Sequence, residues 1–374
     1  MTRFSPLFVI VMIWAVSLGA AAQFGKFAVM LDRVAASYPL QSAPMIGLAV
    51  SSVGFAGLVL GTTAGLFASG LGYRRVMVVA LIAGSALSFA QSLGPSFPLL
   101  LALRGLEGFA HLAIVVAAPV LTAQVASPRF QAAAMTLYSS FFSVSFMVLG
   151  FIGPGVVDRF GVAGLLQGHA GYPDNIIGMI VGFRGIGGTI GFFCAMFIGR
   201  LDPRLGLTTG FGLLGLSGVW LMEIDLNVSS YELLLNSVVQ GMATGIVWVP
   251  LSVMAFSTLE QRFMAEGMAV FHLLRNLGSS LFISIAVAQI IQSTSANYSR
   301  LSEVISPYNR VLDMPWVMGA WTVDTLPGLA KMATEINRQA AMIGYLNAFS
   351  LYTATSFAAI LLVWLIPRRR SRVA

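Results

Sequence analysis

Arg104-Gly-Leu-Glu107-Gly108-Phe-Ala-His111 sets three ionisable side chains at i, i+3 and i+7, on one face of an α-helix. The residues before it are Leu99-Leu100-Leu101-Ala102-Leu103, and those after it are Leu112-Ala113-Ile114-Val115-Val116. An apolar helix of ~20 residues spans the ~30 Å hydrocarbon core of a bilayer. A charge near its centre costs at least ~2.5–3.5 kcal/mol on insertion scales, so such a residue faces a partner or a cavity rather than lipid. The stretch therefore reads as a membrane helix with one polar face turned inward.

The rest of the chain agrees. Of its 374 residues 57% are hydrophobic and 9% charged, where a soluble domain carries about 25% charged residues. Backbone polar groups in a bilayer must be satisfied within a helix or a closed barrel. The apolar runs are long and do not alternate as barrel strands do, so the expected fold class is an all-α membrane protein. Ten spans are expected, at 6–31, 44–69, 76–94, 97–125, 131–156, 176–199, 205–224, 231–257, 264–292 and 343–366. Arg3, the apolar residues 7–16 and Ala20-Ala21-Ala22 resemble a cleavable signal peptide. The apolar run continues to Leu31, so it is read as a retained first helix. The net charge of +7 invites a nucleic-acid partner. The basic residues lie at helix ends rather than in a patch, which argues against one.

Positive charge orients the helices. With the N-terminus in the cytoplasm, Arg3, Arg74, Arg75, Arg129, Arg200, Arg204, Arg262, Arg368, Arg369, Arg370 and Arg372 fall inside. Lys26, Arg33 and Arg159 fall in short outer segments, and the long outer segment 294–341 counts little. Both termini are expected to be cytoplasmic, in a bacterial inner membrane.

An internal repeat follows. Ser237, Gln240, Gly241 and Thr244 lie 133 residues after Arg104, Glu107, Gly108 and His111, and Pro119 and Pro250 follow the two groups. Gly57 and Gly61 are answered 130 residues later by Gly187 and Gly191. Two helix groups of like orientation imply parallel repeats about an axis along the membrane normal. The expected division is a five-span bundle over 1–157, an outer linker over 158–175 and a second five-span bundle over 176–374.

Arg104, Glu107 and His111 are candidates for proton coupling or substrate binding, since a buried carboxylate or imidazole can carry a proton. The alternative is a structural ion pair. Ser237, Gln240 and Thr244 would line the opposite wall or bond between helices. Arg275, with His272 and Ser279 at the same i, i+3, i+7 spacing, is a further candidate near mid-membrane. Arg184 is another buried charge. Lys26 and Asp32 are read as interfacial, where snorkelling is cheap. The sequence has no P-loop, no metal-ligand pattern and no nucleophile motif, so a transporter is expected rather than an enzyme. Cys194 is the single cysteine.

Three stretches resemble major facilitator transporters. Gly65-Leu-Phe-Ala-Ser69-Gly-Leu-Gly72-Tyr-Arg74-Arg75 resembles the inner-gate loop motif between helices 2 and 3, with Ser69 where the motif has aspartate. Arg104-x-x-Glu107-Gly108 resembles the helix-4 motif, with Glu for Gln, whose arginine the family associates with proton coupling. Gly150-Phe-Ile-Gly153-Pro154-Gly155 loosely resembles the antiporter helix-5 motif. From about residue 166 the chain resembles EmrB/QacA-type multidrug efflux permeases, through Gly182-Phe-Arg184, Gly199-Arg200-Leu-Asp202-Pro203-Arg204 and Glu266-Gly267-Met268 to Arg275-Asn276. Residues 1–160 resemble a general facilitator N-terminal half. The family repeats every six helices, nearly 200 residues, so the shorter offset implies that the equivalents of helices 6 and 7 are missing. The resemblance implies proton-coupled efflux of small amphipathic or lipophilic compounds, with the proton gradient as energy source and no cofactor or metal. The implied partners are the lipid bilayer, a small-molecule substrate and a periplasmic adaptor protein. Organic-anion uptake and a non-transporting relic of a facilitator remain open alternatives.

Overall fold

The computed structural model describes residues 5–365 apart from 30–33, 35–36, 42, 61–63, 128, 161–173, 199–201, 257–258, 261–262, 307 and 315–324. Among the described residues the structure is helical, with no strand. Twelve α-helices follow one another among the described residues: α1 (Pro6–Val29), α2 (Ala43–Leu60), α3 (Ala64–Leu71), α4 (Tyr73–Ser92), α5 (Phe97–Val125), α6 (Gln131–Ser139), α7 (Phe141–Phe160), α8 (Asp174–Ile198), α9 (Pro203–Met222), α10 (Ser230–Phe256), α11 (Met264–Ser302) and α12 (Leu326–Leu365). Nine stretches among the described residues are long and apolar enough to cross a membrane. The expected second span is divided between α2 and α3, and the fifth, counted once, between α6 and α7.

Local sequence sets several ends. Asp202 caps α9 by accepting a hydrogen bond from the Arg204 amide at 3.0 Å, and Pro203 occupies the first turn, where no N–H is needed. Gly72 links α3 to α4 at φ +86°, a left-handed conformation that glycine alone adopts freely. Arg74 and Arg75 then stand exposed in the first turn of α4, the end that disfavours positive charge. Helix stability therefore does not account for them.

The last two helices differ from expectation. α11 runs ten residues past the expected limit, to Ser302, and α12 begins at Leu326 rather than near residue 343. At ~1.5 Å per residue, 39 and 40 residues extend about 60 Å, twice the hydrocarbon thickness. Much of the expected outer segment 294–341 is thus a continuation of the two helices. Ser293, Ser295, Asn297 and Ser299 make α11 polar there, so hydropathy ends the span while the helix continues. Asn347 joins the pair by donating to Ser293 Oγ at 2.6 Å, and Gln289 donates to the Asn347 carbonyl at 3.1 Å.

The repeat has a three-dimensional counterpart. α5 packs against α2 and α4, while α10 packs against α8 and α9. A Cβ on Gly108 of α5 would overlap the Val53 carbonyl of α2, and a Cβ on Gly241 of α10 would overlap the Arg184 carbonyl of α8. Glycines at matching positions thus let matching backbones touch, as small residues do in membrane helix pairs. Gly187 and Gly191 of α8 sit against the Val238 and Met242 carbonyls of α10 in the same way; Gly61 lies outside the described residues. Pro119 and Pro250 are fully buried in α5 and α10.

α7 meets α8, and α11 meets α2 and α3, so the earlier and later helices touch along two seams. Gly150 of the expected helix-5 motif lies at the first seam, where a Cβ would strike the Gly178 carbonyl and the Gly182 backbone of α8. Gly153 and Pro154 lie in the same helix, and Gly65 lies in α3. Only thirteen residues, 161–173, separate α7 from α8, too few for two further spans of ~20 residues.

Gly241→Leu should force α10 from α8, costing about 1–3 kcal/mol or more by overpacking. In detergent micelles its thermal unfolding midpoint should fall well below that of the unsubstituted protein. Gly212→Ala, where nothing lies within 4 Å of the new Cβ, should leave the midpoint unchanged or slightly raised.

Candidate functional site

Arg104 and Glu107 are wholly buried, with side-chain exposure of 0%. Burial of this kind is tolerated only when charges are paired and hydrogen-bonded. Arg104 Nη1 donates to Glu107 Oε2 at 2.6 Å and to the Gln23 carbonyl of α1 at 2.9 Å. Its Nε donates to the Ala49 carbonyl of α2 at 3.0 Å. One guanidinium therefore fastens α5 to α1 and α2.

Glu107 is enclosed more completely. Its Oε2 accepts from Arg104 and from Gln91 Nε2 of α4, at 2.9 Å. Its Oε1 accepts from Lys26 Nζ at 2.7 Å and from Ser88 Oγ at 2.5 Å. Lys26 also donates to Ser88 at 2.6 Å. Four donors from α1, α4 and α5 thus meet one carboxylate.

This corrects the reading of Lys26 as an interfacial residue. Its side chain turns inward to the carboxylate and is 21% exposed. Charge pairing with a buried anion outweighs hydration of the ammonium at the helix end, and the long lysine stem spans the distance. Asp32 lies outside the described residues. His111, one turn beyond Glu107, holds the Ala20 carbonyl through Nδ1 at 2.9 Å and meets the Phe142 ring edge-on, with centroids 6.1 Å apart.

Phe142 links this network to a second cluster. The Arg275 guanidinium lies 6.0 Å from its centroid and 5.4 Å from that of Trp248, both within the range of cation–π attraction. Arg275 on α11 thus touches α7 on one side of the seam and α10 on the other. Trp248 also meets Phe271 edge-on at 5.9 Å. Tyr138 is buried beside Phe141, and its hydroxyl has no hydrogen-bond partner among the described residues. Arg184 on α8 is exposed rather than buried and lies near Tyr352 of α12.

The neutral counterparts make a separate arrangement on α10. Ser237 is buried, and Gln240 donates to Asn236 Oδ1 at 2.9 Å. Asn236 in turn donates to the Ser217 carbonyl of α9 at 2.9 Å. Thr244 is exposed and satisfies its hydroxyl within its own helix, on the Gln240 carbonyl at 2.8 Å. The structure brings Arg104, Glu107 and His111 together and relates them to Arg275 through Phe142. It leaves Ser237, Gln240 and Thr244 apart from the carboxylate.

Sequence reasoning missed Ser88, Gln91, Phe142, Trp248, Tyr138 and Asn236 as site residues. Three of the omissions had signals. Ser88 and Gln91 are polar at i, i+3 in an apolar helix, and Trp248 continues the Gln240–Thr244 face by a further turn. Nothing local marks Phe142 or Tyr138 among the aromatic residues of their segment.

Removing the carboxylate leaves two cations without their anion. Glu107→Ala should cost about 3–5 kcal/mol, the usual penalty for breaking a buried pair. Its unfolding midpoint in micelles should fall much further than that of Glu107→Gln, which keeps two polar atoms at the site.

The Major Facilitator Superfamily sequence profile matches residues 4–171. The multidrug export protein EmrB of Haemophilus influenzae is 23% identical over 167 residues, which are 44% of this chain and 33% of that protein. An uncharacterized MFS-type transporter of Mycobacterium tuberculosis, Rv1250, is 32% identical over 97 residues, 26% of this chain and 17% of that one. The chain thus matches a third or less of the length of these curated relatives. Among solved structures, a bacterial homologue of the human lysosomal transporter Spinster, inward-facing and unoccupied, aligns with a TM-score of 0.55 at 13% identity, over 99% of this chain and 100% of that one. The Escherichia coli fucose:proton symporter FucP aligns with a TM-score of 0.54 at 10% identity, over 94% and 99%. At such identities the likeness is one of fold. Residues 4–171 thus carry the sequence signature of the Major Facilitator Superfamily, and across the chain the likeness to these solved transporters is one of fold.

Proposed function

We propose that this chain is a secondary transporter that exports small amphipathic or lipophilic compounds against a proton gradient. The observation that carries the reading is the buried Lys26–Glu107–Arg104 network, joined through His111 and Phe142 to an arginine across the helix seam. An ion network this deep in apolar surroundings costs stability relative to a hydrophobic core, and intramembrane charges of this sort mark ion and substrate pathways. Residues 1–157 and 176–374 act as the two rocking bodies, with 158–175 as their outer connection and the α7–α8 seam as a pivot. Arg104 and Glu107 belong to the coupling machinery, with Gln240, Thr244 and Arg275 on the facing wall. The similarity to a multidrug export protein supports the direction and substrate class.

A second reading, organic-anion uptake, draws on Arg275 between two aromatic rings and on solvent-reachable Arg184. A guanidinium beside aromatic faces suits an aromatic carboxylate.

The chain is placed in the bacterial inner membrane with both termini in the cytoplasm, and a periplasmic adaptor protein is its proposed partner. The energy source is the proton gradient, without an organic cofactor or metal.

In proteoliposomes, an imposed pH gradient should drive tetraphenylphosphonium movement, and Arg104→Ala should reduce it at least tenfold. Unchanged transport in that variant removes Arg104 from coupling. Salicylate counterflow in place of tetraphenylphosphonium movement would favour anion uptake, and flux of neither probe through correctly inserted protein would indicate a non-transporting relic.

Orientation is tested separately. In a Cys194→Ser background, Val373→Cys should react with an impermeant maleimide only after the cells are opened; labelling of intact spheroplasts would place the C-terminus outside.

A further inference from the structure

Coupling to a proton gradient needs a group that loses and regains a proton while its surroundings stay packed. Within the buried network the members differ in their capacity to do so. Arg104 keeps its proton under any physiological condition. Glu107 has both oxygens occupied by four donors at 2.5–2.9 Å and no exposed surface. A proton placed on it would have to displace one of those donors, and two cations would then face each other without an anion. His111 is buried, and its Nδ1 is committed to the Ala20 carbonyl.

Lys26 is different in three respects. It is an ammonium, which can become a neutral amine and still donate hydrogen bonds to Ser88 and Glu107. Its side chain is 21% exposed while its two charged neighbours are closed off, so water can deliver and remove its proton. Among the described residues the network also contains two cations and one carboxylate. Loss of one proton from Lys26 leaves a balanced Arg104–Glu107 pair, which suits an apolar environment better than an excess positive charge.

Among the described residues, the other ionisable groups on the helices packed against α1 do not compete for this role. α2 contains none, and α4 contributes the neutral Ser88 and Gln91 here, with Tyr73, Arg74 and Arg75 at its opposite end. α6 contributes Tyr138, beside the Arg275 cluster. α7 holds Asp158 and Arg159 in its last turn, and α8 holds Asp174 at its start and Arg184 within.

We propose that Lys26 is the group that takes up and releases the coupling proton, and that Glu107 is its permanently ionised counter-ion. The inference rests on the proton-coupled reading above and reassigns the coupling role from the carboxylate to the amine. The network then alternates between a singly positive and a neutral state. A cationic substrate in the same low-dielectric interior is repelled by the first state and admitted by the second, which gives exchange of proton for cation.

The sequence contains two lysines, Lys26 and Lys331, so the intact protein labelled with 15Nζ-lysine gives two side-chain signals. In proteoliposomes the Lys26 signal should pass from ammonium to amine over the pH range in which tetraphenylphosphonium transport changes, while Lys331 stays ammonium. Lys26→Arg, fixed in the positive state that repels a cation, should lose tetraphenylphosphonium movement at least tenfold with or without a gradient, while its unfolding midpoint in micelles stays near that of the unsubstituted protein. Glu107→Gln, which removes the counter-ion, should move the ammonium-to-amine transition of the Lys26 signal to lower pH. A Lys26 signal that stays ammonium throughout, or wild-type gradient-driven rates in Lys26→Arg, overturns the proposal. Failure of the proton-coupled reading itself appears earlier, as wild-type movement indifferent to the gradient.

Discussion

The helices around the site depend on one constraint: a carboxylate placed in the apolar interior has to be neutralised and hydrogen-bonded from several directions. Glu107 receives its donors from α1, α4 and its own helix, and Arg104 adds backbone carbonyls from α1 and α2. Four segments distant in sequence are thereby fixed to one another at a single depth. Apolar contacts alone would do this less specifically, because lipid tails compete equally well for leucine and valine.

Where no charge fastens the helices, small residues do. The α5–α2 and α10–α8 contacts use glycines at equivalent places, so each backbone lies against a partner's carbonyls. The two halves share this geometry but not the chemistry beside it. Around α5 the repeat carries ions, and around α10 it carries Ser237, Gln240 and Thr244, with Asn236 bonding across to α9. The second half carries Arg275 against aromatic rings and Arg184 near Tyr352. An arginine on α11 that reaches a phenylalanine on α7 gives the earlier and later helices a shared contact at the seam.

The sequence by itself determined the solvent of this protein. Hydropathy run lengths and the spacing of Arg104, Glu107 and His111 depend on local composition and on the helical period, so they survive without coordinates. Matched glycines and polar triads also disclosed the repeat, because homologous helices keep small residues wherever their backbones touch. The tertiary structure decided which charge meets which. Lys26 sits near the end of its own helix, where local reasoning assigns it to the interface, and only the approach of α1 to α5 makes Glu107 its partner. Arg275 could have met a carboxylate, yet the crossing of α7, α10 and α11 gives it aromatic faces. Pairings of this kind are set by how helices cross, and the period of a single helix carries no record of that.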